Sequence, residues 1–229
     1  MNRIDWSSLD AAGRKTALAR PARRTEAQVT DRVREIFDDV QARGGQAVTD
    51  WAVRLDGFAP RRITITPETV AEARKALPPG DVRALRMAAD NIRVFHQATV
   101  PTDSDWVETT PGVRSRLVWR PIRAAGLYVP GGTAPLFSSL MMLAIPAMVA
   151  GVMERVAVTP PAKDGSCHPA LILAAAEGGL DALWLVGGAQ AIAALTFGAT
   201  FDDGDIQPCD KLFGPGNAWV AEAKRYASA

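Results

Sequence analysis

Cysteine, histidine and tyrosine are the scarce residues of this 229-residue chain, with two of each. Two cysteines, Cys167 and Cys209, cannot build a disulfide framework or a four-cysteine metal site. With His96 and His168 as the histidines, a soft-ligand metal centre made from this chain alone is close to excluded. Excess charge is also missing: 26 basic against 25 acidic side chains leave +1, which gives no support for a nucleic-acid or anionic-membrane partner. The opening residues Met1 to Trp6 lack the apolar run of a signal peptide, so a reducing cytoplasm is the expected compartment. One uncharged stretch, 30 residues from Ala124 to Met153, is long enough to span a bilayer. Pro130, Pro135, Pro146 and the Gly131-Gly132 pair interrupt it, so it is expected to be a strand, a loop and a buried helix, with no membrane involved.

What the chain does have is an ordinary globular composition, 48% hydrophobic and 22% charged, which excludes disorder and fibrous repeats. Charge divides along the length. Residues 1–126 hold 21 basic and 16 acidic side chains, whereas residues 127–229 hold 5 and 9. The first part is expected to be mostly helical. Thr25-Glu26-Ala27-Gln28 has capping-box form ahead of Val29, Val33, Ile36, Phe37 and Val40 at helical spacing. A short helix follows with Trp51, Ala52 and Leu55 on one face, then a brief strand with Ile63 and Ile65, then a helix opened by Thr66-Pro67. Val82, Leu85, Ala89, Ile92 and Phe95 mark a longer helix, with His96 a packed or surface residue at its end. Between Trp106 and Ile122 the pattern changes to period two, with Val113, Ser115, Leu117 and Trp119 alternating with Arg114, Arg116, Val118 and Arg120. That predicts a β-hairpin with a solvated arginine face.

Beyond Ala125 short apolar strands alternate with helices: Leu127 to Val129, Arg155 to Thr159, Ala182 to Val186 and Lys211 to Phe213, each followed by a loop and a helix. Four such units predict an α/β fold with a parallel sheet covered on both faces. In open sheets of this kind ligands bind at the carboxyl ends of the strands, where glycines let the backbone approach and helix N-termini favour anions. The loops there are Tyr128 to Thr133, Gly187 to Gln190 and Gly214 to Asn217, and a phosphate-bearing ligand is the natural partner. No G-x-G-x-x-G is present, because Trp219 takes the third-glycine slot after Gly214 and Gly216. Tyr128 is equally readable as core filler, Gln190 as a first-turn surface residue and Asn217 as a plain helix cap. A catalytic set is not found: Ser-His-Asp order, H-E-x-x-H and G-x-S-x-G are missing, and Cys167 beside His168 points the wrong way for a nucleophile pair. Asp202, Asp203 and Asp205 read as a solvated turn near Cys209 rather than a cation site.

Three ordered segments, Gly126 to Ser139 (GLYVPGGTAPLFSS), Val186 to Leu195 (VGGAQAIAAL) and Asp210 to Arg225 (DKLFGPGNAWVAEAKR), together with Pro111-Gly112-Val113-Arg114, resemble histidinol dehydrogenase over essentially the whole chain. The resemblance implies an aldehyde-dehydrogenase-like parallel sheet preceded by a mostly helical segment with a β-hairpin. It divides the chain into residues 1–126, a lead-in plus part of a first α/β domain, and residues 127–229, an NAD-contacting domain. It implies a zinc-dependent homodimer that oxidises L-histidinol through L-histidinaldehyde to L-histidine with two NAD, the last steps of histidine biosynthesis. By motif position Tyr128, Gln190 and Asn217 correspond to the family's NAD contacts. The family's zinc ligands and its Glu-His acid–base pair lie in sequence following the segment that ends here, so no catalytic or metal residue is assigned. The chain alone is expected to be inactive and to expose apolar surface. Two alternatives are a non-catalytic nucleotide-binding or interaction protein derived from the enzyme, and another aldehyde-dehydrogenase-like enzyme, which would need a cysteine nucleophile that neither thiol provides.

Overall fold

The structure is a computed structural model that describes residues 4–19, 27–132 and 134–228. Thr25 and Glu26 of the expected capping box, and Thr133 of the first glycine loop, lie outside the described residues. After a 3-10 turn at Trp6–Ser8, the elements are α1 (Ala11–Leu18), α2 (Ala27–Arg43), α3 (Gly45–Asp56), β1 (Arg61–Thr64), α4 (Pro67–Lys75), α5 (Pro79–Thr99), β2 (Val107–Thr110), β3 (Val113–Ser115) and β4 (Ala124–Tyr128). They continue with α6 (Phe137–Val149), β5 (Glu154–Thr159), α7 (Pro169–Glu177), β6 (Ala182–Leu185), α8 (Gly188–Phe197), β7 (Ala199–Phe201), β8 (Gly204–Ile206), β9 (Lys211–Phe213) and α9 (Ala218–Ala227).

The main sheet has the order β1-β6-β5-β4-β9. Its last four strands are parallel, and β1 is added antiparallel to β6, pairing Arg61 with Leu185 and Thr64 with Ala182. Side-chain alternation divides two cores. Leu127, Ala157 and Leu183 face one side, where α4 to α7 supply Ala73, Leu85, Leu140, Ile145 and Leu173. Tyr128, Val158 and Trp184 face the other, where α2, α3, α8 and α9 supply Ile36, Phe37, Trp51, Ile192 and Val220. Every residue of β4 is buried, as a strand covered on both faces requires. The uncharged stretch resolves into β4, a loop and α6, whose apolar residues surround the helix because it lies against the sheet and between α5 and α7. Among the described residues no helix is long and apolar enough to cross a membrane.

Residue 126 lies within β4, and β1, α2 and α3 share the sheet and cores with the later elements. Other expectations need correction. Leu55 and Phe95, placed on buried faces by spacing, are 54% and 63% exposed. The hairpin ends at Ser115; Leu117 and Trp119 are exposed and non-strand, tied back when Leu117 N–H donates to Ser104 Oγ and Trp119 N–H to Asp103 Oδ1. Its Arg114 and Arg116 do lie in solvent, over the Trp106 ring at 5.5 and 4.8 Å. Sequence periodicity gave no sign of the β7–β8 hairpin, whose strands have three residues each. The aspartate-rich turn joins them and is not merely solvated: Asp203 Oδ2 accepts the Arg62 backbone N–H at 2.8 Å, fastening the hairpin to β1.

Candidate functional site

The carboxyl ends of β4, β6 and β9 bring two of the three glycine loops together. Tyr128 closes β4, and its hydroxyl accepts the Gly188 N–H at 3.3 Å, holding the first turn of α8. Asn217 caps α9, its Oδ1 accepting the Val220 N–H at 3.1 Å. The turn between β9 and α9 must pass directly over β4: a Cβ on Gly214 would lie 1.9 Å from the Tyr128 carbonyl oxygen, and Gly214 has φ +123°. Lys224 of α9 donates to the Gly214 carbonyl. Its burial lowers the ammonium pKa.

Beside these helix starts lies a cavity of about 280 Å³, lined on one side by Gly188, Ala189, Gln190, Asn217 and Trp219 and on the other by Arg32, Trp51, Arg54, Leu55 and Asp56. That volume is just below the range for small-molecule sites, ~300 to 1,000 Å³, room for one end of a dinucleotide. Two helix N-termini and two arginines give it an anion-attracting character. Both guanidiniums stack on Trp51, Arg32 at 5.7 Å and Arg54 at 5.1 Å from the ring centroid. Gln190 is no surface residue; it is fully buried, and its Nε2 donates to Asp56 Oδ2 at 3.0 Å. Its Oε1 is buried without a partner among the described residues. A buried acceptor left unpaired costs free energy, which a donor brought by a ligand would recover.

Gln190 and Asn217 thus line one cavity, while Tyr128 stands behind it, 3% exposed, and shapes the α8 turn. Burial raises the Tyr128 pKa; the Gly188 N–H opposes the shift and the charge of Asp56 adds to it. Sequence reasoning missed Asp56. Its carboxyl pKa is raised by burial, against the Gln190 hydrogen bond. One signal was available: an acidic residue at the last position of a helix sits against the negative end of the dipole, so a helix gains nothing from it.

A second cavity, about 210 Å³, opens where β4, β5 and β6 meet their other loops and includes Pro130, Pro160, Cys167 and His168. His168 is a helix cap, its Nδ1 accepting the Ala170 N–H at 3.2 Å. Cys167 is held protonated, burial pushing its thiol up to about 11 with only Arg61 opposing. Burial and the Asp210 carboxylate push Cys209 up to about 12. Neither thiol is an activated nucleophile. Among the described residues, no group of three or more His, Cys, Asp and Glu could hold a metal ion.

A family model described as histidinol dehydrogenase matches residues 18–229. The histidinol dehydrogenase of Xylella fastidiosa (strain 9a5c) is 42% identical over 98% of this chain and 51% of its own length. That of Shigella dysenteriae serotype 1 is 41% identical over 98% of this chain and 50% of its own. A crystal structure of histidinol dehydrogenase from Elizabethkingia anophelis superposes with a TM-score of 0.84 at 32% identity, covering 96% of this chain and 49% of that one. The chain spans about half the length of these relatives. Mixed α/β architecture, strand-end loops and sequence similarity along nearly its whole length agree, and the chain belongs to the histidinol dehydrogenase family.

Proposed function

We propose that these residues form the cofactor-holding half of an enzyme that oxidises L-histidinol through L-histidinaldehyde to L-histidine, acting as a homodimer in the cytoplasm. The observation that carries this reading is the cavity in which Gln190 and Asn217 meet at two helix N-termini beneath two arginines. The donor and acceptor set fits NAD: helix starts and guanidiniums for the pyrophosphate, and the unpaired Gln190 Oε1 for a ligand N–H or O–H. NAD, when bound, supplies the hydride acceptor for each of the two oxidations.

The chain's own residues bind and orient. Tyr128 fixes the α8 turn, Gln190 presents its amide from that turn, and Asn217 opens α9 beside it. A phenol with a raised pKa and two amides cannot serve as bases near neutrality, so proton transfer falls to groups outside this set. Zinc does not fit the described residues, and none of them is assigned to it. Under this reading its ligands belong to the half of the family's sequence that this chain does not include.

The test is made on the protein as its own cell produces it. Histidinol should drive NADH formation, and a chelator should abolish it. NAD affinity, read from tryptophan fluorescence, should fall about tenfold or more in both Gln190→Ala and Asn217→Ala. Unchanged affinity in both variants would move the cofactor site elsewhere. Histidinol-independent NAD binding without turnover would favour a binding protein derived from the enzyme.

A further inference from the structure

The cavity wall opposite the helix starts carries a carboxylate with no charge partner among the described residues. Asp56 is the last residue of α3, followed by the left-handed Gly57. It therefore sits at the negative end of that helix's dipole, where a cation would be favoured and an anion is not. Arg54 and Arg32 line the same cavity, yet both lie over the Trp51 ring, and neither is paired with Asp56 among the described residues. The hydrogen bond that Asp56 does receive comes from Gln190 Nε2, across 134 positions of sequence, and it uses only Oδ2. The reverse orientation of that amide would set a carbonyl oxygen against a carboxylate, so Asp56 also decides which way Gln190 faces. The outcome is two neighbouring acceptors, the Asp56 carboxylate and the buried, unpartnered Gln190 Oε1.

Such a pair calls for a ligand with adjacent donors and no negative charge at that point. A vicinal diol meets the requirement, since one carboxylate can accept from both hydroxyls. A phosphate ester in place of one hydroxyl would remove a donor and bring two anions together beside a helix C-terminus.

We infer that Asp56 is the residue that selects the cofactor: it accepts from the adenosine ribose hydroxyls of NAD and turns away the 2′-phosphorylated NADP. This deepens the reading of the cavity as the NAD site and rests on it. The pyrophosphate then lies between the α9 start at Asn217 and the Arg32 and Arg54 guanidiniums, and the adenosine ribose toward Asp56 at the end of α3. The elevated carboxyl pKa of Asp56 agrees with a group waiting for donors.

The experiment titrates the full-length protein with NAD and with NADP, following tryptophan fluorescence, because Trp51 and Trp219 line the cavity, with calorimetry as a second readout. The wild type should bind NAD about a hundredfold or more tightly than NADP. Asp56→Asn, nearly isosteric, should weaken NAD about tenfold and shrink the NAD-to-NADP preference by about tenfold or more. Asp56→Glu keeps the charge and should keep NADP out. Asn217→Ala should weaken both nucleotides alike and leave the preference untouched, an outcome a merely structural effect shares and Asp56→Asn must not. An Asp56→Asn preference equal to the wild type's would overturn the assignment, as would a wild type that binds the two nucleotides equally. If Asp56→Asn fails to fold, Asp56→Ala takes its place, with the same expected loss of preference and the same overturning result. A wild type that binds neither nucleotide removes the NAD reading itself, and this inference with it.

Discussion

Replacing glycine by alanine at two positions should move stability in opposite directions. At Gly214 the added Cβ would stand 1.9 Å from the Tyr128 carbonyl oxygen and 2.9 Å from its carbon, both backbone atoms with no rotamer to yield. The φ of +123° adds strain of ~1 to 3 kcal/mol for any residue with a side chain. Relief requires lifting β9 off β4, where only three pairs hold it: Ala125 with Lys211, Gly126 with Leu212 and Leu127 with Phe213. Together these exceed ~3 kcal/mol, roughly a hundredfold in the folded-to-unfolded ratio. Gly80 is the contrast. It lies in the first turn of α5, and its Cβ would meet only the Arg83 guanidinium at 3.9 Å, an ordinary contact at the end of a flexible side chain. There the loss of unfolded-state freedom dominates, and alanine should stabilise by ~0.4 to 1 kcal/mol. Urea unfolding followed by tryptophan fluorescence reads both. Gly214→Ala within ~0.5 kcal/mol of wild type, or the same sign at both sites, would refute the reasoning.

Further perturbations probe other contacts. Phe37 is 1% exposed and meets Phe197 and Tyr226 edge-on at 5.7 and 5.0 Å; Phe37→Ala should cost ~3 to 5 kcal/mol by the same assay, Phe37→Leu far less. Both thiols should resist iodoacetamide at neutral pH in the folded state and react only as pH climbs toward their raised values, about 11 for Cys167 and about 12 for Cys209, as mass spectrometry would show. Glu222 joins α9 to α2 by accepting from Thr30 Oγ1 at 3.0 Å, and its carboxyl pKa is lowered, chiefly by the Arg225 hydrogen bond. Its contribution is therefore present above the unfolded-state value, ~4.3, and lost as pH falls through the lower folded value, so Glu222→Gln should flatten the acid limb of a stability-versus-pH curve.

The helices were legible wherever burial imposes a long period. Val33, Ile36, Phe37 and Val40 are all buried as their spacing requires. Spacing failed at helix ends: Leu55 and Phe95 continue an apolar stripe past the point where a neighbouring element covers it. The parallel strands were visible as short apolar runs whose charge is confined to their first residues, Glu154 and Arg155 in β5 and Lys211 in β9, because the interior of a strand covered on both faces is buried. β7 and β8, at three residues each, are too short to show any period. Of the site, the strand-end glycines announced Gln190 and Asn217, since local turn chemistry marks those loops. Asp56 was silent because its role depends on a contact with Gln190 that no local pattern encodes.

The strand β1 joins the sheet only through β6, whose residues come roughly 120 positions later. At ~5 to 20 residues per second, a ribosome needs on the order of ten seconds to cover that distance. Throughout that interval α2 has α3 but neither α8 nor α9 to pack on, and the part of its apolar stripe that α8 and α9 cover in the folded chain stays open. Folding of this polypeptide is accordingly a late, closing event, and its first third is a natural client for a chaperone that shields nascent helices.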